Sequence, residues 1–326
     1  MQQVVLQEPG RFALRESPPP VPDAETAIVR VKRVGVCGTD FHAFEGTQPF
    51  FSYPRVLGHE LSGTVESLPA GVLGVRTGDR CAVRPFLFNP ASRASQRGRT
   101  NCCEDLRVLG IHVDGGMGEY LAVPPEFLHP SSTLSLEALV LVEPLSIGCH
   151  AVRRGQPTAG DDVLVIGAGP VGLAVATFAR LAGARVTVLD LAESRLDAVR
   201  RLTDADTTLS VDPAARYDCV FDVTGSAASM RRAFGYVTSG GRLVFVGLVQ
   251  GEIGFDDPEF HRREITLLAT RNANKADFEE VIRQIEGKAI RPELWITHRV
   301  GLAELPDQFE TVRREPTLVK AVVEVA

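Results

Sequence analysis

Long apolar runs are missing from this chain of 326 residues. No stretch of 18 consecutive apolar residues occurs, so a membrane-spanning helix is not expected. The opening residues, MQQVVLQEPGRF, lack a basic segment followed by an apolar one, so no secretory leader is expected. Positive charge is not in excess either. The formal net charge is -6, which argues against nucleic acid or an anionic membrane surface as the main partner. Cysteine is scarce: six thiols, at 37, 81, 102, 103, 149 and 219, do not make a disulfide framework. Neighbouring Cys102 and Cys103 cannot readily share one disulfide. The cytoplasm is the expected compartment, and in a reducing environment thiols matter as metal ligands. Internal repeats and low-complexity tracts are absent.

The remaining composition is that of an ordinary globular protein, 44% hydrophobic and 23% charged. Its length predicts two domains. From Ile28 to Val36 the chain is rich in β-branched residues, and glycine and proline punctuate nearly everything from Gly35 to Pro130. This predicts a β-barrel-like domain with long loops. At Ser135-Leu136-Glu137-Ala138 the texture changes to a helical stretch that runs through Glu143 and resumes after Pro144. A strand-helix-strand rhythm begins at Asp162. Val163–Ile166 reads as a parallel strand buried on both faces, and Val186–Leu189, Cys219–Val223, Leu243–Val246 and Ile265–Ala269 as further strands. Their alternation with helices predicts a doubly wound parallel sheet. An amphipathic helix carrying Phe278, Val281, Ile282 and Ile285 follows, and then the strand-like Leu318–Val323.

Gly167-Ala168-Gly169-Pro170-Val171-Gly172 lies between the first of these strands and a helical segment. That context makes it a dinucleotide fingerprint: glycines for a tight turn and close approach to a pyrophosphate, and a helix N-terminus to meet the negative charge. Asp190 closes the next strand, eighteen residues beyond Gly172. A carboxylate there would accept hydrogen bonds from ribose hydroxyls and repel a 2'-phosphate, which favours NAD over NADP. Arg195 lies close enough to temper that preference.

Two segments offer metal donors, Cys37-Gly38-Thr39-Asp40-Phe41-His42 and Gly58-His59-Glu60. Thiolate, imidazole and carboxylate are the donor types of a zinc site. Glu143, directly after the apolar Leu139–Val142, is a fourth candidate, because an acid there is costly to bury alone.

These two segments, with Gly78-Asp79-Arg80, Asp114-Gly115-Gly116-Met117-Gly118-Glu119-Tyr120, Glu143-Pro144-Leu145 and the glycine fingerprint, carry a resemblance along essentially the full length. The chain resembles the zinc-dependent medium-chain dehydrogenase/reductase family. The resemblance implies an α/β fold: a GroES-like β-barrel catalytic domain over 1–148 and 272–326, and a Rossmann domain over 149–271. It implies that Cys37, His59 and Glu143 hold a catalytic zinc, with Glu60 either a direct ligand or one that exchanges with water. Thr39 would pass on the substrate proton, and His42 would act later in that relay. On the cofactor side it points to Asp222, Val223, Thr224, Val246, Gly247, Leu248 and Arg271. A homodimer or homotetramer built through the dinucleotide domain is expected.

The chain departs from the family at one place. Most members carry a second, structural zinc on four cysteines in the pattern C-x2-C-x2-C-x7-C. Here Asn89, Ser92 and Ser95 stand at three of those positions, and only Cys103 remains. Hydroxyl and amide oxygens are poor zinc ligands beside a thiolate, so one zinc per chain and no structural zinc are expected.

Glutamate at Glu143 resembles the polyol and sugar-acid dehydrogenases of the family. The segments Tyr53–Glu60, Val108–His112, Asn272–Lys275 and Ile296–His298 resemble bacterial hexonate dehydrogenases. Phe50, Phe51, Arg84, Phe86 and Glu119 are the substrate-pocket candidates, Arg84 as a partner for a carboxylate or as one half of a structural salt bridge. Two other readings differ in class. A zinc-less NADPH quinone or enone reductase would not need Cys37, His59, Glu60 and Glu143. A non-catalytic dinucleotide-binding protein would not need Thr39.

Overall fold

The computed structural model describes residues 1–49 and 51–326. The chain forms two compact units, Met1–Glu143 with Asn274–Ala326, and Pro144–Ala273.

The first unit is built on a sheet in which Ala27–Val36 is central. Glu60–Ser67 pairs antiparallel along one edge of it. Along the other edge lie Tyr120–Val123 and, further on, Lys320–Glu324, both antiparallel. Ile296–Gly301 then adds in parallel to Lys320–Glu324, while Arg80–Val83 and Leu128–Pro130 extend the opposite side. The β-branched run that reads as a strand in the sequence, Ile28 to Val36, is thus the spine of the unit. Val29, Val31 and Val34 are at most 1% exposed in its core. Phe41 and Phe44 of the helix Gly38–Glu45 pack on Phe309, with ring centroids 5.4 and 5.0 Å apart. Aromatic contact of this kind fixes the helix whose N-cap is Cys37.

The second unit is a six-stranded, wholly parallel sheet. Its order is Asp206–Thr208, Arg185–Leu189, Asp162–Ile166, Tyr217–Asp222, Val237–Phe245, Thr266–Ala269. The sequence order of the strands reverses between the third and fourth members, the topological switch point where such sheets bind ligands. Val163, Leu164 and Val165 are fully buried, as a strand covered on both faces requires. Asp206–Thr208 is not visible as a strand in the sequence. Its three residues, Asp-Thr-Thr, are polar and sit at the sheet edge, where hydrogen bonding rather than burial holds them.

The helical stretch after Ser135 is broken earlier than the sequence suggests. Leu136–Leu139 forms one turn capped by Ser135, whose hydroxyl accepts from the Ala138 amide. A second helix, Val142–Gly155, starts just before Pro144. Proline is tolerated there because first-turn amides have no intrahelical partner. No helix among the described residues is long and apolar enough to cross a membrane.

Candidate metal and dinucleotide sites

Local pairing converges on His59. The strand Glu60–Ser67 pairs with Gly35 opposite Glu60, so His59 leaves the sheet beside Val36 and Cys37. The loop before it is clamped by the Asp114-Gly115-Gly116-Met117 segment. Gly115 donates to Val56 O at 2.8 Å, and Gly116 and Met117 donate to Gly58 O and Leu57 O at 3.0 Å each. Asp114 Oδ1 accepts from the Val56 amide at 3.1 Å. That glycine-rich motif therefore acts as a backbone brace under the histidine.

Cys37, His59 and Glu60 each present a ligand atom within 4.8 Å of the others. His59 and Glu60 are buried, Cys37 half-buried. Gly35 has no room for a side chain: a Cβ there would collide with the Glu60 carboxylate. Glu143 is buried close enough for its charge to act on both His59 and Glu60. Burial, with Glu60 and Asp40 nearby, pushes its pKa up to about 8 against the pull of His59 and Lys320. Desolvation would depress the His59 imidazolium, but Asp40, Cys37 and Glu143 outweigh it and carry its pKa well above the ordinary value. This is a buried pocket with an excess of acidic groups. A thiolate, an imidazole and carboxylates so placed fit a divalent zinc ion in donor type and in charge.

Two residues here were not singled out in the sequence. Asp40 is 1% exposed; its Oδ2 accepts from the Cys37 amide at 2.8 Å, and its Oδ1 lies 3.9 Å from His59 Nδ1. Its signal was present, an acid at the third position of the Cys37 helix. Lys320 is 2% exposed and its Nζ sits 2.6 and 2.8 Å from the two oxygens of Glu60. Burial alone would lower the Lys320 pKa, yet Glu60, with Cys37 and Glu143, holds it above its ordinary value. No local signal could have found this pair, because its members are 260 residues apart.

The other expected residues are distributed unevenly. Thr39 Oγ1 lies 3.8 Å from Cys37 Sγ. His42 is at the surface, its Nδ1 3.3 Å from Thr47 Oγ1 and 3.7 Å from Glu45. Phe50 lies outside the described residues. Phe51 packs edge-on against Tyr53 at 4.8 Å. Arg84 and Phe86 are each 3% exposed. Arg84 lies over the Phe127 ring at 4.5 Å and donates to Glu126 O at 3.2 Å, so a cation–π contact stands where a salt bridge was one expectation. Phe86 faces Phe278 in the same core. Glu119 accepts from the Gln2 amide at 2.7 Å.

At the lobe between Phe86–Leu87 and Arg107–Val108, the four positions Asn89, Ser92, Ser95 and Cys103 do converge. The Asn89 amide donates to Cys103 Sγ at 3.2 Å, and Ser92 Oγ donates to Ser95 Oγ at 3.0 Å. Burial opposes ionisation of Cys103, but hydrogen bonds from Ser92, the Asn89 and Asp105 amides and Ser95 bring its thiol below the ordinary value. Hydrogen bonds on one sulfur tie this lobe together.

In the second unit the fingerprint has the form its glycines require. Gly167 adopts φ +105, and a Cβ on Gly172 would overlap the Gly167 carbonyl. Gly169 caps the helix Pro170–Leu181, with open space where its Cβ would stand. Asp190, 8% exposed, accepts from the amides of Ala168 at 2.7 Å and Ala192 at 2.9 Å. Arg195 Nη1 lies 3.7 Å from it, largely exposed. Asp222 accepts from Thr224 through both amide and hydroxyl, at 3.0 and 2.7 Å, which shapes the turn after its strand. Val246 and Gly247 both donate to Asp222 O, and a Cβ on Gly247 would strike Gly225. Leu248 and Arg271 are exposed. The open cradle at Gly169 and the helix N-terminus fit a pyrophosphate.

Residues 23–134 match the family model of the alcohol dehydrogenase GroES-like domain, and residues 170–287 match that of the zinc-binding dehydrogenases. The chain is 38% identical to L-galactonate-5-dehydrogenase of Escherichia coli K12, covering 99% of this chain and 98% of that one. A crystal structure of an alcohol dehydrogenase from E. coli CFT073, complexed with NADH, superposes with TM-score 0.92 at 28% identity, covering 99% of both chains. A zinc-binding dehydrogenase from Sinorhizobium meliloti, bound to NADP, gives TM-score 0.89 at 27% identity over 99% of this chain and 98% of that one. The first matched segment holds the thiol–imidazole pair and the second begins with the helix that follows Gly169; with full-length kinship at that identity the chain belongs to the zinc-type medium-chain alcohol dehydrogenase family of oxidoreductases.

Proposed function

We propose that this oxidoreductase transfers a hydride between NAD and a secondary alcohol of a sugar acid or polyol, with a hexonate as first choice. The observation that carries the reading is the buried convergence of Cys37, His59 and Glu60 beside Glu143. The likeness to L-galactonate-5-dehydrogenase supports the substrate class.

Cys37, His59 and Glu60, which present donor atoms within 4.8 Å of one another, would hold the zinc, with Glu143 as a further candidate whose charge acts on the same site. When bound, the ion supplies Lewis-acid polarisation of the substrate oxygen. Thr39, at the mouth of the Cys37 helix, takes the hydroxyl proton and releases it outward, since His42 lies at the surface on the next turn. Asp40 sets the orientation of the His59 ring through its Nδ1 side. In the second unit, Gly169 and the helix N-terminus receive the pyrophosphate, and Asp190 meets the ribose.

A preference for NAD rests on the Asp190 carboxylate. A second reading, use of NADP, is favoured by Arg195 at 3.7 Å from that carboxylate and by the NADP-bound relative. Zinc-replete protein assayed with both cofactors against hexonates, polyols and simple sugars tests the proposal. Reduction of neither cofactor with any of these substrates overturns it.

A further inference from the structure

His42 meets two acceptors at one ring nitrogen. It sits in the last turn of the helix Gly38–Glu45, and the chain leaves that helix through Gly46, at φ 77, to reach Thr47. The Thr47 amide donates to His42 O at 2.9 Å, and the Thr47 hydroxyl donates to the same carbonyl at 3.3 Å. A carbonyl can only accept, so the single hydroxyl proton is committed to it. What Thr47 Oγ1 turns toward His42 Nδ1, 3.3 Å away, is therefore a lone pair. The second neighbour of Nδ1 is Glu45 Oε2 at 3.7 Å, an acceptor as well. Glu45 is held in place from behind. Its Oε1 accepts from Arg313 of the helix Leu305–Arg313, and Arg313 also donates to both oxygens of Glu310, at 2.8 and 2.9 Å. The packing of Phe41 and Phe44 on Phe309, one turn before Arg313, keeps the two helices together.

A neutral imidazole carries one ring proton, and the partner of one nitrogen decides where it sits. Two acceptors at Nδ1 call for the proton there. The side chain is 63% exposed, which leaves the other nitrogen to the open face. We infer that Thr47 and Glu45 are positioning residues that hold neutral His42 as its Nδ1–H tautomer, so that the Nε2 lone pair is the base that takes the outgoing proton. Free imidazole in water favours the opposite tautomer, and a single contact on an exposed side chain contributes little. Thr47 and Glu45 therefore act together, with Arg313 and Glu310 as the charged groups behind them. The part given to Nε2 rests on the reading of His42 as a late member of the proton relay. The tautomer does not.

The test labels the histidine rings with nitrogen-15 and reads their long-range proton–nitrogen correlations at about pH 9, where an unperturbed imidazole is neutral. His42→Gln assigns the signals by difference. Wild type, Thr47→Ser and the double variant Glu45→Ala/Thr47→Val are then compared, and kcat and KM are measured on the best substrate of the hexonate and polyol panel. In wild type, His42 shows a protonated Nδ1 and a bare Nε2. In the double variant the proton moves to Nε2, and kcat falls about threefold to tenfold as the competent fraction shrinks, with KM unchanged. Thr47→Ser keeps the hydroxyl and stays with wild type in both readouts. Should the double variant fold poorly, the wild-type spectrum decides alone. A wild type with its proton on Nε2, or a double variant that keeps it on Nδ1, overturns the proposal. Wild-type kcat in His42→Gln overturns instead the relay reading.

Discussion

Asp40 Oδ1 and His59 Nδ1 face each other 3.9 Å apart, both buried and neither hydrogen-bonded. That gap is one small ring movement from a hydrogen bond, and a histidine that ligates metal through one nitrogen is commonly oriented by a carboxylate on the other. Asp40→Asn keeps the shape and removes the charge. Zinc affinity, measured by competition with a chromogenic chelator, is expected to fall about 10- to 100-fold. Unaltered affinity would show that Asp40 serves only the Cys37 amide.

Removing the metal should expose Glu143. Its ordinary pKa of 4.5 is pushed up to about 8 in the fold, so the folded state favours the neutral acid. The stability from that preference is fully present below pH 4.5 and is lost as pH rises toward 8. Metal-stripped protein should therefore melt progressively lower than zinc-loaded protein across this window. Calorimetry of both forms at pH 5, 6.5 and 8 checks it, and a constant difference in Tm contradicts it.

His129 carries the opposite sign. Burial first, with Arg84 and Lys275 adding to it, lowers its pKa to about 3 from the ordinary 6.5. Its neutral ring stacks on Phe278 at 4.8 Å. The stability it contributes is complete above pH 6.5 and drains away as pH falls toward 3, at about 1.4 kcal/mol per pH unit at the steepest. His129→Phe keeps the stack and should flatten the urea-midpoint profile between pH 6.5 and 4.

The lobe held on Cys103 should cost stability when its sulfur is replaced, without touching the metal content. Cys103→Ala leaves the Asn89 amide and the Ser95 hydroxyl without their acceptor. A loss of about 1–3 kcal/mol is expected in denaturant titration. Metal analysis should return one zinc per chain in wild type and variant alike; two in wild type would show that the lobe holds an ion after all.

Asp190→Asn retains an acceptor for the Ala168 amide but gives up the charge. KM for NAD should rise about tenfold while KM for NADP falls, because repulsion of a 2'-phosphate is removed and Arg195 remains. Steady-state kinetics with both cofactors decides the matter. Equal changes for the two would mean that Asp190 only shapes the turn.

Much of the fold was legible because burial leaves a local trace. Val163 to Ile166 could only be a covered strand, and the glycines of 167–172 announced the turn they make. Cys37, His59 and Glu60 stood out as metal-donor types in two short segments, and the fold gathers them within 4.8 Å of one another. Asp206–Thr208 was not, since an edge strand needs no apolar pattern. Arg84 could be read as a carboxylate partner or as half of a salt bridge, because sequence shows a charge and hides the two phenyl rings, Phe88 and Phe127, that it lies against. Lys320 was invisible for a different reason. It opens a strand otherwise apolar up to Glu324, where a lysine ordinarily faces solvent, and only the fold brings it to Glu60.

The pairing of Arg33–Val36 with Ala321–Glu324 also sets the order of events at the ribosome. Val36 must wait for Lys320, 284 residues later, and at ordinary rates of synthesis that interval lasts roughly 15 to 60 s. The whole second unit is made in the meantime and can fold on its own sheet. Half of the central strand keeps an open edge throughout, available to any other nascent strand.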